Sequence, residues 1–274
     1  MKPARSTVGH YSRRVKALTA LLVLSGAIHK AGAEAPLFPV ALAVSTPVPV
    51  GGGQASAPLL SPQTRWQSSL DAFAKADNER LPASDGVLFV GSSTIRMWTS
   101  LSDDFRQVPV IINRGFGGST MADCNHFVRE LVIRYKPKQV LVYAGDNDLA
   151  EGRSPADVRD SFAKFVRSVR AELPEARISY ISIKPSPSRV ELLPKIKQTN
   201  ALISDYVHSL QDVRYIDIFQ PMLNAEGQPR PELFQPDQLH LNEAGYRLWK
   251  SIIAAQLPAS APAQVPTAQI AGSH

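Results

Sequence analysis

Between residues 87 and 255, short apolar runs alternate with longer stretches whose apolar positions recur every three to four residues. The runs at 87–90, 108–112, 139–143, 178–183 and 213–218 are dense in Val, Ile and Tyr and are bounded by Gly, Asn, Pro or Asp, as buried strands are. The stretches 94–102, 120–135, 155–172 and 192–210, with 242–255 closing the series, carry helical spacing. In one of them Val158, Phe162, Phe165, Val166 and Val169 make an apolar face, and Ser154 before Pro155 is a start signal. Five strand-to-helix alternations predict an α/β fold with a parallel sheet, because parallel neighbours need crossover helices and these cover both faces. In such sheets the ligand sits outside the carboxyl ends of the strands, near the point where strand order reverses.

Outside this region the periodicity stops. Residues 34–62 are rich in Pro, Ala, Val, Gly and Ser, with Gly51 to Gly53 in their midst, and read as a linker. Residues 258–274 have a similar composition and read as a disordered tail. That leaves 63–257 as one domain of ordinary size. Residues 1–33 place Lys2, Arg5, Arg13, Arg14 and Lys16 ahead of the apolar stretch 17–28 and a small-x-small pattern ending at Ala33. This is the pattern of a signal peptide cleaved near Ala33, with an apolar part short for a membrane span; a retained N-terminal anchor is the alternative. The expected location is therefore periplasmic or secreted, with no stable membrane span once the leader is removed.

Charge and cysteine content narrow the classes further. The chain has 30 Lys and Arg against 24 Asp and Glu, but residues 1–33 hold six of the basic residues and none of the acidic ones. Without the leader the two signs balance, so the basic pI is no argument for nucleic acid or anionic membrane as a partner. Cys124 is the only cysteine, which rules out an intramolecular disulfide and suggests a buried, inert thiol. The six histidines are scattered without ligand spacing, so neither a metal site nor a cofactor is expected.

Each unusual cluster falls just after a predicted strand. The first strand leads into Gly91-Ser92-Ser93-Thr94, the second into a segment running from Asn113 through Gly115, Gly117 and Gly118 to Thr120, and the third into Gly145-Asp146-Asn147-Asp148. Beyond the fifth comes Asp237-Gln238-Leu239-His240. A serine hydroxyl is inert near neutral pH unless an imidazole takes its proton, and that imidazole works best when a carboxylate fixes its tautomer. Taken singly these blocks have plainer readings. Ser93 would cap a helix, Asp237 would cap the last helix beside a surface His240, the glycines would form a tight turn, and Asn147 would belong to ordinary turn chemistry.

Taken in order, the four blocks resemble the SGNH hydrolases, also called the GDSL esterase and lipase family, over essentially the whole domain. The resemblance implies a three-layer α/β/α sandwich on a flavodoxin-like five-stranded parallel sheet. It also implies a serine esterase with Ser93 as nucleophile, His240 as base, Asp237 as orienting acid, and the Ser93 amide, Gly118 and Asn147 as oxyanion-hole donors. Ser92 stands where the family usually has Asp, and being adjacent it is the rival for the nucleophile. Ser119 likewise replaces an Asp that often follows the glycine. Acylated glycans, lysophospholipids and small acyl esters all fit as substrates, and a catalytically silent carbohydrate- or ligand-binding protein of the same fold is the alternative. Arg96, Arg114, Lys184 and Arg189 lie at or beyond strand ends. One or two of the four are expected to bind an anionic part of the substrate or to order the site loops, Lys184 and Arg189 being the named candidates, against the plainer reading of ion pairs with Asp146, Asp148 or Glu191. Trp98 and Trp249 read as helix packing.

Overall fold

The computed structural model describes residues 61–257. The expected leader, the linker up to residue 60 and the tail therefore lie outside the described residues. The first element, helix α1 (Pro62–Glu79), is absent from the pattern reading. It shows only a thin apolar stripe, Trp66, Leu70 and Phe73, ending in a buried Asp77. Its start was nonetheless signalled, since the Ser61 side chain accepts a hydrogen bond from the Thr64 amide and Pro62 follows it.

The remaining elements follow in strand and helix alternation. They are β1 (Val87–Gly91), α2 (Ser93–Arg96), α3 (Leu101–Asp104), β2 (Ile111–Gly115), α4 (Met121–His126), α5 (Val128–Leu131), β3 (Gln139–Tyr143) and α6 (Asp146–Ala150). After these come α7 (Pro155–Glu172), β4 (Arg177–Ile181), α8 (Leu193–His208), β5 (Val213–Ile216) and α9 (Glu243–Ala254). The five strands form one all-parallel sheet in the order β2-β1-β3-β4-β5, the flavodoxin-like arrangement. Alternation along each strand divides the core into two layers. Leu88, Val90, Val140, Val142 and Tyr180 point toward the side covered by α1, α4, α5, α7 and α8. Val87, Phe89, Leu141 and Tyr143 face Trp98, Phe105, Trp249 and Ile253 on the other. Both tryptophans are fully enclosed there.

Three differences from the pattern have physical causes. β2 runs three residues later than its apolar run, through Asn113 and Arg114, because tertiary partners satisfy both side chains. Asn113 Nδ2 donates to the Ile95 carbonyl at 2.8 Å, and Arg114 is ion-paired with Asp77 at 2.6 Å beneath α1. The stretch 94–102 splits into α2 and α3, and 120–135 splits at Phe127 and Val132, so the chain can bend closely around the glycine loop. Among the described residues no helix is long and apolar enough to cross a membrane.

Candidate active site

Strand order reverses between β1 and β3, and the carboxyl ends of β1, β2 and β3 meet there. At the end of β1, Gly91 adopts φ 140° and approaches β3 so closely that any Cβ would collide with the Tyr143 carbonyl. The Ser92 amide donates to that same carbonyl at 3.0 Å, and the chain turns directly into α2 with Ser93 as its first residue. The turn buries Ser92, 1 % exposed, and leaves Ser93 at the surface of the sheet edge. It is Ser93, not Ser92, whose hydroxyl reaches an imidazole: His240 Nε2 lies 3.0 Å from Ser93 Oγ.

Asp237 and His240 arrive on a closed loop rather than a helical turn. Phe234 pairs with Leu241, the Gln235 amide donates to the His240 carbonyl at 2.7 Å, and Gln238 takes a left-handed conformation, φ 55°. The Asp237 carboxylate organises its own loop. Oδ1 accepts from the amides of Leu239 and His240, both at 2.9 Å, and Oδ2 lies 2.6 Å from His240 Nδ1. The His240 side chain, followed by these amides, holds the Asp237 carboxyl down to about 2. The cap of α9 is Asn242, whose Oδ1 accepts from Ala244 and Gly245, so Asp237 is left for the histidine.

The glycine loop after β2 supplies the third side. Gly118 has φ 81°, and only the Trp66 ring comes near the place of a Cβ, so backbone conformation is what requires glycine there. Asp148 fixes the far end of this loop, its two carboxylate oxygens accepting from the Met121 amide at 3.1 and 3.0 Å. Burial pushes that carboxyl up to about 7. This clamp escaped sequence reading, because Asp148 beside Asn147 looks like turn chemistry until α4 is docked against it.

Asn147 stands between the loop and a buried ion cluster. Its Nδ2 donates to the Ser119 carbonyl at 3.0 Å and its Oδ1 accepts from Arg189 Nη2 at 3.0 Å. One Nδ2 hydrogen remains for the cleft. Arg189 in turn lies 3.2 Å from Asp146, which also pairs with Lys184 at 3.1 Å. Burial works to raise the Asp146 carboxyl, but Lys184 and Arg189 outweigh it and leave the group below its ordinary value. Lys184 is 1 % exposed, bonded to Asp146 and the Tyr143 hydroxyl. The expectation that Lys184 touches substrate is corrected by this burial, since its ammonium lies under the site. Arg114 is likewise committed, to Asp77, while Arg189 and Arg96 reach the cleft. Cys124 is fully buried, and that burial pushes its thiol well above its ordinary range, as an inert thiol requires.

Around these groups opens a cleft of about 540 Å³ lined by Ser69, Ser93, Arg96, Gly117, Gly118, Asn147, Arg189, Leu239 and His240. Ser69 comes from α1, the helix the pattern reading missed. A hydroxyl, an imidazole and neutral N–H donors thus share one cleft, with the Asp237 carboxylate bonded to the far nitrogen of the imidazole, an arrangement suited to acyl transfer. The GDSL-like lipase/acylhydrolase family model matches residues 84–248, a stretch that contains all of them except Ser69. The chain belongs to the GDSL-like lipase/acylhydrolase family. It is a serine hydrolase of that family, whose general chemistry is ester hydrolysis.

Solved structures share the fold at low identity. A Streptococcus pneumonia protein provisionally assigned as a platelet activating factor is 20% identical, with a TM-score of 0.63 over 71% of this chain and 94% of its own. A GDSL-like lipase from Bacteroides thetaiotaomicron is 24% identical, with a TM-score of 0.57 over 70% and 95%. A mutant acetyl-xylooligosaccharide esterase from Geobacillus Stearmophilus is 14% identical, with a TM-score of 0.53 over 64% and 94%. No curated protein matches the chain.

Proposed function

We propose that this GDSL-family hydrolase is an exported esterase that removes short acyl groups through an acyl-enzyme on Ser93. The observation that carries the reading is the relay from Asp237 Oδ2 to His240 Nδ1, 2.6 Å, and from His240 Nε2 to Ser93 Oγ, 3.0 Å. His240 takes the Ser93 proton as Oγ bonds to the ester carbonyl carbon. Negative charge then develops on the carbonyl oxygen, where the amides of Ser93 and Gly118 and the free Nδ2 hydrogen of Asn147 receive it. Collapse breaks the bond to the alcohol, which leaves with the proton from His240, and water repeats the sequence to release the acid. Asp237, already ionised, holds the imidazole with its Nδ1 protonated and steadies the imidazolium that forms.

Acyl length follows from the lining. Leu239 is the one apolar side chain among the residues bounding the cleft. Each methylene left in water forgoes about 0.8 kcal/mol of burial, so a long chain gains little here. A short acyl group on a polar alcohol fits best, and the fold likeness to an acetyl-xylooligosaccharide esterase is in keeping with that. Export rests on the basic, apolar and small-residue pattern of residues 1–33.

A fluorophosphonate probe tests the nucleophile directly. Folded protein should be labelled at Ser93, and Ser93→Ala should lose both labelling and hydrolysis of 4-nitrophenyl acetate. A folded wild-type protein that stays unlabelled would overturn the nucleophile assignment.

A further inference from the structure

We propose that Arg96 makes this hydrolase selective for esters that carry a second, anionic group, a carboxylate or a phosphate, close to the scissile bond. The inference rests on Ser93 as nucleophile and concerns what else the substrate must present.

Arg96 stands apart from the other cations around the site. Arg114 is paired with Asp77, Lys184 and Arg189 with Asp146, and Arg65 with Glu151. Arg96 is exposed, and its guanidinium has neither a hydrogen-bond nor a carboxylate partner among the described residues. It lies within electrostatic reach of the Tyr246 phenol, which is itself bonded to the Thr94 carbonyl. Arg96 follows Ser93 by three residues on α2, which sets both on one helical face and both in the cleft lining.

Gly117 shows how closely the guanidinium is seated. A Cβ at 117 would fall 2.8 Å from Arg96 Nε and 3.2 Å from Nη2, so the arginine head lies across the bare backbone of the glycine loop. Gly117 has no left-handed φ that would call for glycine on its own account. The missing side chain makes room for the arginine. The cleft lining then contains two arginines and no carboxylate, with the Arg189 charge already directed toward Asp146 and Asn147. What is left is one planar, unpaired cation beside the nucleophile, and a guanidinium in that state matches an oxyanion with two parallel N–H donors. A cation cannot rest on a cationic or purely apolar group as favourably, so the selectivity has a sign.

Three aryl acetates that differ mainly in charge test the alcohol side: 3-acetoxybenzoate, its methyl ester, and the 3-acetoxy-N,N,N-trimethylanilinium cation. An aryl adipate against the aryl hexanoate tests the acyl side, and acetylated glycerol phosphate against acetylated glycerol distinguishes phosphate from carboxylate. Ratios of kcat/KM are compared within each pair across variants, so intrinsic leaving-group reactivity cancels. In at least one pair, Arg96→Gln should lower the anionic-to-neutral ratio by about tenfold, the scale of a charge-assisted contact in an open cleft. Arg96→Lys should restore most of the ratio and Arg96→Glu should shift preference toward the cation. The wild-type preference should also shrink as salt rises from about 0.01 M to about 1 M and the screening length falls from about 30 Å to about 3 Å. That last measurement needs no variant to fold. Ratios that stay constant through Lys, Gln and Glu while every ester is turned over would overturn the selectivity and leave the Ser93 reading standing. Wild-type protein that hydrolyses none of the esters and takes no fluorophosphonate label would overturn both.

Discussion

Replacing Asp237 by Asn should damage the enzyme more than removing its side chain altogether. The carboxylate accepts three hydrogen bonds, two from the amides of Leu239 and His240 on Oδ1 and one from His240 Nδ1 on Oδ2. An amide has one acceptor oxygen and one donor group. If the Asn oxygen keeps the two backbone amides, its NH2 faces Nδ1, which must then offer a lone pair. The imidazole proton moves to Nε2, the atom 3.0 Å from Ser93 Oγ, and the base is disabled. The flipped amide instead sets NH2 against two N–H donors and loses both bonds, so the first arrangement prevails. A wrong tautomer of this kind lowers kcat by roughly 10⁴, about 5.5 kcal/mol. With Asp237→Ala the outcome differs because the Asp237 side chain is 46% exposed. Water enters its place and accepts from Nδ1–H, leaving Nε2 free as a base, so the loss is smaller than that of the wrong tautomer. Both variants are assayed for kcat on 4-nitrophenyl acetate, with ¹⁵N shifts of the imidazole reporting its tautomer. An Asn variant as active as the Ala variant, or more so, would refute the argument.

Asn147→Ala should reduce kcat by about 10²- to 10³-fold with a smaller effect on KM, since the lost N–H acts mainly on charge formed in the transition state; an unchanged kcat would remove Asn147 from the oxyanion donors. Asp148 should imprint itself on stability. Its folded value of about 7 lies above the ordinary 3.8, so its contribution is most favourable below about pH 4 and is lost as pH rises to 7. The shift corresponds to about 4 kcal/mol over that window, with the upper plateau beyond 7. Urea unfolding of wild type and Asp148→Asn from pH 4 to 8 should show this slope in the wild type alone, and parallel curves would contradict it. Asp237 acts in the opposite sense. Its carboxyl is held down to about 2, so the stabilisation from its pairing is present above about pH 3.8 and disappears as pH falls toward 2. Acid unfolding of Asp237→Ala should accordingly begin at a pH closer to neutrality than in wild type.

Much of the architecture was legible in the linear pattern because hydrophobic period and punctuation are local properties. The runs at 87–90, 139–143 and 213–218 fall on β1, β3 and β5, and α7 begins and ends where Ser154-Pro155 and the apolar spacing place it. Elements whose polarity is satisfied only from afar were misplaced or missed. β2 carries Arg114 and α1 ends near Asp77; each looks exposed until the other covers it, after which both are buried as an ion pair. Bends inside 94–102 and 120–135 likewise answer to packing around the glycine loop, which no periodicity records.

The same division holds at the site. Residue types and their order along the chain determined the candidate chemistry, because a hydroxyl, an imidazole, a carboxylate and flexible glycines at the ends of successive strands are chemical facts of the sequence. Only the tertiary structure decided which of them act together. The Gly91 approach to β3 buries Ser92 and presents Ser93, and the loop from Phe234 to Leu241 carries His240 across 147 residues to meet it. Folding also separated the four cations that looked alike in sequence. Two were drawn inward to meet carboxylates, Arg189 was turned to hold Asn147, and Arg96 alone was left facing the cleft unpaired. The physical reason is that a charge's role depends on its partners and its solvent, and both are set by residues distant in the chain.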